Sequence, residues 1–243
     1  MYSLNSLFDR LKNPERRSQL ANDPTQLAEL SAVEVSELNA VVATGENQGQ
    51  SLLFWLCLTD QESNLLDAIP DIHKKITREG LNSLIPTGPF SGYSVLYILT
   101  SSEKGREIFS KIDHQLVDQS ALNSVVSLPI AGYSALAYLA GTETGRPILQ
   151  KIIDSGVTID SNALNRMIDQ GPNRGLSALF WLAGTETGHP ILQKMIDRGV
   201  TIDSNVLNRM FEQGDNRGTS ALFWLSGTET GHPILQKMID RGV

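Results

Sequence analysis

The chain has 243 residues, 40% of them hydrophobic, a single cysteine and a formal net charge of −7. One cysteine rules out a disulfide framework, and the apolar runs, such as Leu52 to Leu58, are far too short to span a bilayer. Residues 158–200 are neutral and residues 201–243 carry −1, so the remaining −6 lies in residues 1–157; no basic stripe exists for a nucleic-acid backbone to lie on. A soluble chain in a reducing, cytoplasmic compartment is expected.

Residues 1–32 show a weak amphipathic pattern in Leu4, Leu7, Phe8 and Leu11, then Pro14, then a helical stretch from Pro24 to Leu30. They lie outside the periodicity that follows and predict an N-terminal helical cap. From residue 33 onward the chain repeats itself, in units of about 33–75, 76–115, 116–157, 158–200 and 201–243. The last two differ only at Ala163/Val206, Ile168/Phe211, Asp169/Glu212, Pro172/Asp215, Leu176/Thr219 and Ala183/Ser226. The register is fixed by a Gly-x-Ser anchor at Gly49, Gly92, Gly132, Gly175 and Gly218, and by an upstream Leu-Asn pair in every copy. Self-similarity at this period is the signature of a solenoid, whose modules lend each other the hydrophobic contact none has alone.

Each module predicts three short helices. The first places apolar residues at i, i+3 and i+4, as in Leu81, Leu84 and Ile85 or Leu164, Met167 and Ile168, which is one helical face. The second is almost continuously apolar, as in Ala178 to Ala183, and its Ala and Leu content favours helix. The third begins near Glu62, Gly105, Gly145, Gly188 and Gly231. In the last three modules it opens with Gly-Arg-Pro or Gly-His-Pro, where proline suits the first helical turn. In module four it ends at Gly199, a left-handed stop. No corresponding cap follows module five, so the array is expected to continue or to pair with another copy.

Gly175-Leu176-Ser177-Ala178-Leu179, Leu182-Ala183, Gly188-His189, Ile191-Leu192, Met195-Ile196 and Gly199-Val200 together resemble the ankyrin repeat. Gly218 to Val243 resembles it again and the earlier modules do so more loosely. The module is about ten residues longer than the ~33 of that family, and the Leu-Asn helix stands where the family has its β-turn finger. The resemblance implies an all-α, elongated solenoid of five three-helix, ankyrin-like repeats without β-hairpins; armadillo-type units are the architectural alternative. It also implies a protein-protein interaction module and not an enzyme, with no catalytic residue, metal or cofactor. Similar arrays occur among effectors that intracellular bacteria deliver into host cells, which would place the chain in the host cytosol. Two other readings stay open: an accessory array that positions a catalytic region outside this chain, and a self-associating structural array.

Individual slots are read by comparing the five copies. Cys57 shares its slot with Thr100, Ala140, Ala183 and Ser226, which asks only for a small side chain. The asparagines Asn39, Asn82, Asn123, Asn165 and Asn208 each follow a core leucine and are expected to tie down an inter-helix backbone group. His189 and His232 share a slot with Ser63, Arg106 and Arg146, which reads as exposed and polar. Trp55, Trp181 and Trp224 are assigned to the inter-repeat core. Glu46, Pro89, Pro129, Pro172 and Asp215 form a slot read as the stop of the first helix. The position after the anchor varies freely as Gln50, Tyr93, Tyr133, Leu176 and Thr219. It lies in the link between the first and second helices, and these five residues are the expected contact edge for a protein partner.

Overall fold

The computed structural model describes residues 4–126, 132–212 and 216–243. Among them the secondary structure is helical, with two isolated antiparallel β-bridges, Val125–Ser134 and Met167–Ser177. No helix among the described residues is long and apolar enough to cross a membrane. The chain divides into two compact units, Met1–Ala121 and Leu122–Val243.

The first unit opens with α1 (Leu4–Lys12), α2 (Pro14–Asn22) and α3 (Pro24–Ser31). Prolines at the start of α2 and α3 follow Asn13 and Asp23, whose side chains accept from the exposed N–H groups of Glu15 and Arg16, and of Thr25 and Gln26. That is an N-cap ahead of a residue with no N–H to satisfy. Pro14 therefore begins a helix that the sequence pattern alone did not reveal. Module one continues with α4 (Val35–Asn39), α5 (Leu52–Ser63), a 3-10 turn at Leu65–Ala68 and α6 (Ile72–Lys75). Module two has α7 (Arg78–Asn82), α8 (Val95–Ser101) and α9 (Glu103–Phe109). Within this unit α1 packs on α5, α5 on α8, and α4 on α7.

A second 3-10 turn at His114–Leu116 leads to α10 (Gln119–Asn123), followed by α11 (Ala135–Gly141), α12 (Gly145–Asp154), α13 (Ser161–Asn165), α14 (Ala178–Ala183), α15 (His189–Asp197), α16 (Ser204–Asn208), α17 (Ala221–Ser226) and α18 (His232–Asp240). In the second unit α14 packs on α11 and α17 on α14, while α15 packs on α12 and α18 on α15. Second helices touch second helices and third helices touch third helices. The apolar run of α14 is helical as expected, with Leu179 and Leu182 fully buried. The third helices of the last three modules end on Gly156, Gly199 and Gly242, at φ of 100°, 90° and 80°.

Two expectations about the module need correction. The first helix stops at its asparagine, so Ile85 and Ile168 are not on it. Instead the chain turns back on itself: the Ile168 N–H donates to the Leu176 carbonyl and the Gly175 N–H to the Ile168 carbonyl, both at 2.8 Å. The same two bonds recur between Val42 and Gln50, Ile85 and Tyr93, Val126 and Tyr133, and Phe211 and Thr219, with the anchor glycine closing each pair. Every module thus carries a small hairpin-like link. Glycines at φ of 83° and 88°, Gly171 and Gly175, supply the reversal that other residues take only under strain.

The second correction concerns module one, where no third helix begins at Glu62. A Cβ added to Gly105, Gly145, Gly188 or Gly231 would lie 2.3, 2.6, 2.3 or 2.2 Å from the carbonyl oxygen of Leu99, Leu139, Leu182 or Leu225. The sharp break between second and third helices is therefore open to glycine alone. Module one lacks that glycine, and α5 runs through the position unbroken.

Candidate functional site

The link between first and second helices is built from the same parts in every copy. Its exit is capped by the anchor serine: Ser51, Ser94, Ser134, Ser177 and Ser220 accept from the N–H groups of Phe54, Tyr97, Ala137, Phe180 and Phe223 at 3.0–3.2 Å. Its entry is held by the asparagine. Asn82 donates to the carbonyls of Arg78 and Leu116, both at 2.7 Å, and accepts from the Asp118 N–H at 2.8 Å. Asn39 does the same with Val35, Lys75 and Thr77, and Asn165 with Ser161, Thr201 and Asp203. The asparagine reading holds at these three positions, each tying one module to the next. At Asn123 both amide atoms are buried without a partner among the described residues.

The links also approach one another closely. A Cβ on Gly49 would fall 2.8 Å from the Leu84 carbonyl, and one on Gly132 would fall 2.6 Å from the Asp169 nitrogen. At Gly49 and Gly132 the anchor glycine is needed twice, for its φ and for the passage of the next module's link, whereas at Gly175 and Gly218 only the φ requires it.

The five residues expected to form a contact edge do not lie on the surface. Gln50, Tyr93, Tyr133 and Leu176 are buried, and Thr219 is half-buried. Gln50 accepts from the indole N–H of Trp55 at 2.9 Å. Tyr93 sits edge-on to Tyr97 with ring centroids 4.8 Å apart, Tyr133 stacks on Tyr138 at 5.1 Å, and Leu176 packs with Phe180 and Phe211. The paired backbone turns this slot inwards, so these side chains floor the link and are not available as surface anchors.

What the link exposes is its tip: Glu46 and Gln48 in module one, Thr87 and Pro89 in module two, Asp169, Gln170, Pro172 and Arg174 in module four, and Glu212 and Arg217 in module five. Pro89 and Pro172 were expected to stop the first helix; that helix has already ended at Asn82 and Asn165, and the prolines ride on the exposed tip. Pro129 and Asp215 lie outside the described residues. Arg166 and Asp169 form an exposed ion pair at 2.8 Å at the entry to the fourth tip.

Comparison with protein-family models, with curated proteins and with solved structures finds no match.

The histidine slot is exposed at His232, as expected, and departs from expectation at His189. His189 is 2% exposed; its Nε2 donates to the Ala183 carbonyl at 2.8 Å and its Nδ1 accepts from the Thr230 hydroxyl at 2.6 Å. Arg106, Arg146 and His232 reach the equivalent carbonyls of Thr100, Ala140 and Ser226. The slot calls for a long donor that satisfies an orphan carbonyl at the end of the second helix. Cys57 is buried, and so are Thr100, Ala140 and Ala183 at its slot, whose small side chains the packing requires. Trp55 is buried, while Trp181 and Trp224 are half-buried against Gly141 and Gly184 of the preceding module.

Among the described residues no group of three His, Cys, Asp or Glu side chains is placed to hold a metal ion. An open hollow of about 740 Å³ lies beside α2, walled by Arg17 and Asp67 among others. Both charges are engaged structurally, Arg17 on the Leu11 carbonyl at 2.7 Å and Asp67 on Lys104 at 2.9 Å.

Proposed function

We propose that the chain is a protein-interaction module: an ankyrin-like α-solenoid of five stacked repeats, capped by residues 1–32, that holds a protein partner against the tips of its links. The observation that carries this reading is where the last two modules differ. Of their six differences, four fall in one short link, at Ile168/Phe211, Asp169/Glu212, Pro172/Asp215 and Leu176/Thr219. The caps, the asparagine ladder and the anchor glycines are kept while the link changes. Asp169, Pro172 and Glu212 are exposed on the tip, whereas Ile168, Leu176 and Phe211 are buried in the floor beneath it. A constant frame carrying a loop that varies, tip included, is the arrangement expected of a recognition surface.

The tips mix both charge signs with proline and amide side chains, which suits a polar protein surface. A role as part of a secreted bacterial effector is compatible with this reading and would place the chain and its partner in the host cytosol.

The test is capture of a partner from a eukaryotic lysate by the chain and by two variants. Gln170→Ala with Arg174→Ala alters the fourth tip; Glu186→Ala with Glu229→Ala alters exposed positions beyond the other end of the second helices. Loss of capture by the tip variant alone supports the reading. Equal loss or equal retention in both variants refutes the assignment of binding to the tips.

A further inference from the structure

Helices α15 and α18 have the same sequence, His-Pro-Ile-Leu-Gln-Lys-Met-Ile-Asp, in different surroundings. Ile196 is 1% exposed and its counterpart Ile239 is 66% exposed; Phe180 is 8% exposed and Phe223 is 54%. The cover over module four is module five. The Phe211 ring lies 5.9 Å from Phe180. Thr230 donates to His189, Lys237 bonds Asp197, and Arg241 bonds the Ile196 carbonyl. The backbone of Thr201 and Asp203 fills the Asn165 amide.

Every one of these sites recurs on module five. His232 bonds the Ser226 carbonyl, Asp240 accepts from Gln236, and Asn208 donates to the Ser204 carbonyl. Among the described residues nothing from another module meets them. With Thr219 in place of Leu176 and Ser226 in place of Ala183 as exceptions, the apolar and the polar parts of this face therefore repeat a face whose occupant is known.

We propose that the outer face of module five is a docking surface for one further module of the same 43-residue class. That module presents an aromatic at the Phe211 slot and hydroxyl, ammonium and guanidinium groups at the Thr230, Lys237 and Arg241 slots. The contact continues the interface already formed between modules four and five. A second copy of this chain does not supply the match. Packing the same face on itself sets acceptor against acceptor at His232, Asp240 and the Ile239 carbonyl. The complementary face of module one is occupied by α1, where Phe8 meets Trp55 edge-on at 6.3 Å. The inference is independent of what binds the link tips.

The probe is the chain lengthened by a copy of residues 201–243 joined after Val243, with Ile239→Cys introduced as a reporter. Cys57 is the only native cysteine and is buried, so thiol modification reads the new site. In the unextended Ile239→Cys chain the thiol reacts as a free one at every protein concentration. In the extended chain the rate falls about tenfold or more, since reaction then requires local opening. Replacing the added module's counterparts of Lys237 and Arg241 by Ala returns part of the rate. Equal rates with and without the added module overturn the proposal. Protection of the unextended chain that grows with its concentration also overturns it, by making a second copy the occupant. Phe223→Cys, read in the same way, guards against an effect peculiar to one position.

Discussion

The asparagine ladder allows a cost to be worked out in advance. Asn82 is buried and joins two modules through the Leu116 carbonyl and the Asp118 N–H. In Asn82→Ala both backbone groups lose their partner inside the protein, and each orphan costs about 1–3 kcal/mol. Some water reaches the smaller side chain, so the net loss is about 2–4 kcal/mol. For a chain of this size that corresponds to a fall in Tm of about 4–15 °C. Asn208 supplies the control, because among the described residues its amide donates only to Ser204 in its own helix; Asn208→Ala should cost under about 0.5 kcal/mol. The assay is thermal unfolding of both variants together with hydrogen exchange at the Asp118 amide, which should accelerate in Asn82→Ala alone. If the two substitutions cost the same, or if Asp118 exchanges at its original rate, the ladder does not join the modules.

Three further outcomes follow from the same contacts. Gly188→Ala drives a methyl group to 2.3 Å from the Leu182 carbonyl and should cost about 3 kcal/mol. Gly171→Ala meets nothing within 4 Å at a φ of 83° and should cost about 1–2 kcal/mol, so the order of the two melting temperatures is the check. Trp224 has a buried indole N–H with no partner among the described residues, whereas Trp55 donates to Gln50, whose slot is held by Thr219 in module five; Thr219→Gln should therefore raise stability by about 1 kcal/mol, read by thermal unfolding. The Lys194 ammonium, hydrogen-bonded to Asp154, holds that carboxyl below its ordinary value of 3.8. Stability from a lowered carboxylate pKa is present above the unfolded value and lost as pH falls through the folded one. Asp154→Asn should melt below the parent at about pH 6, and the two curves should converge below about pH 3.

What the sequence disclosed and what it hid have physical reasons. The helical content, the left-handed stop at Gly199 and the asparagine ties were legible because each depends on a local signal repeated in register. The link was not. Leu164, Met167 and Ile168 fit one face of a helix, but the pattern cannot show that Ile168 pairs with Leu176 across a reversal. The repeated glycines at 171 and 175 were the available sign. The burial of His189 was not legible, because a polar slot gives no sign of the module that covers it; the shared sign was that Arg106, Arg146, His189 and His232 all offer a donor. α2 was missed because Pro14 reads as a break until Asn13 is recognised as its cap. The buried link residues follow from the same reversal, and the exposed tips became visible only with it.

The account rests on modules burying one another's faces, and α15 against α18 tests that most directly. Their sequences are identical, as are the Gly-Thr-Glu-Thr-Gly and Arg-Gly-Val segments that flank them, so intrinsic helix propensity and exchange chemistry cancel. Site-resolved amide hydrogen exchange by NMR should find the Met195 and Ile196 amides protected far beyond those of Met238 and Ile239. Equal protection in the two helices would mean that neighbouring modules contribute nothing to each other's stability, and the stacking account would be wrong.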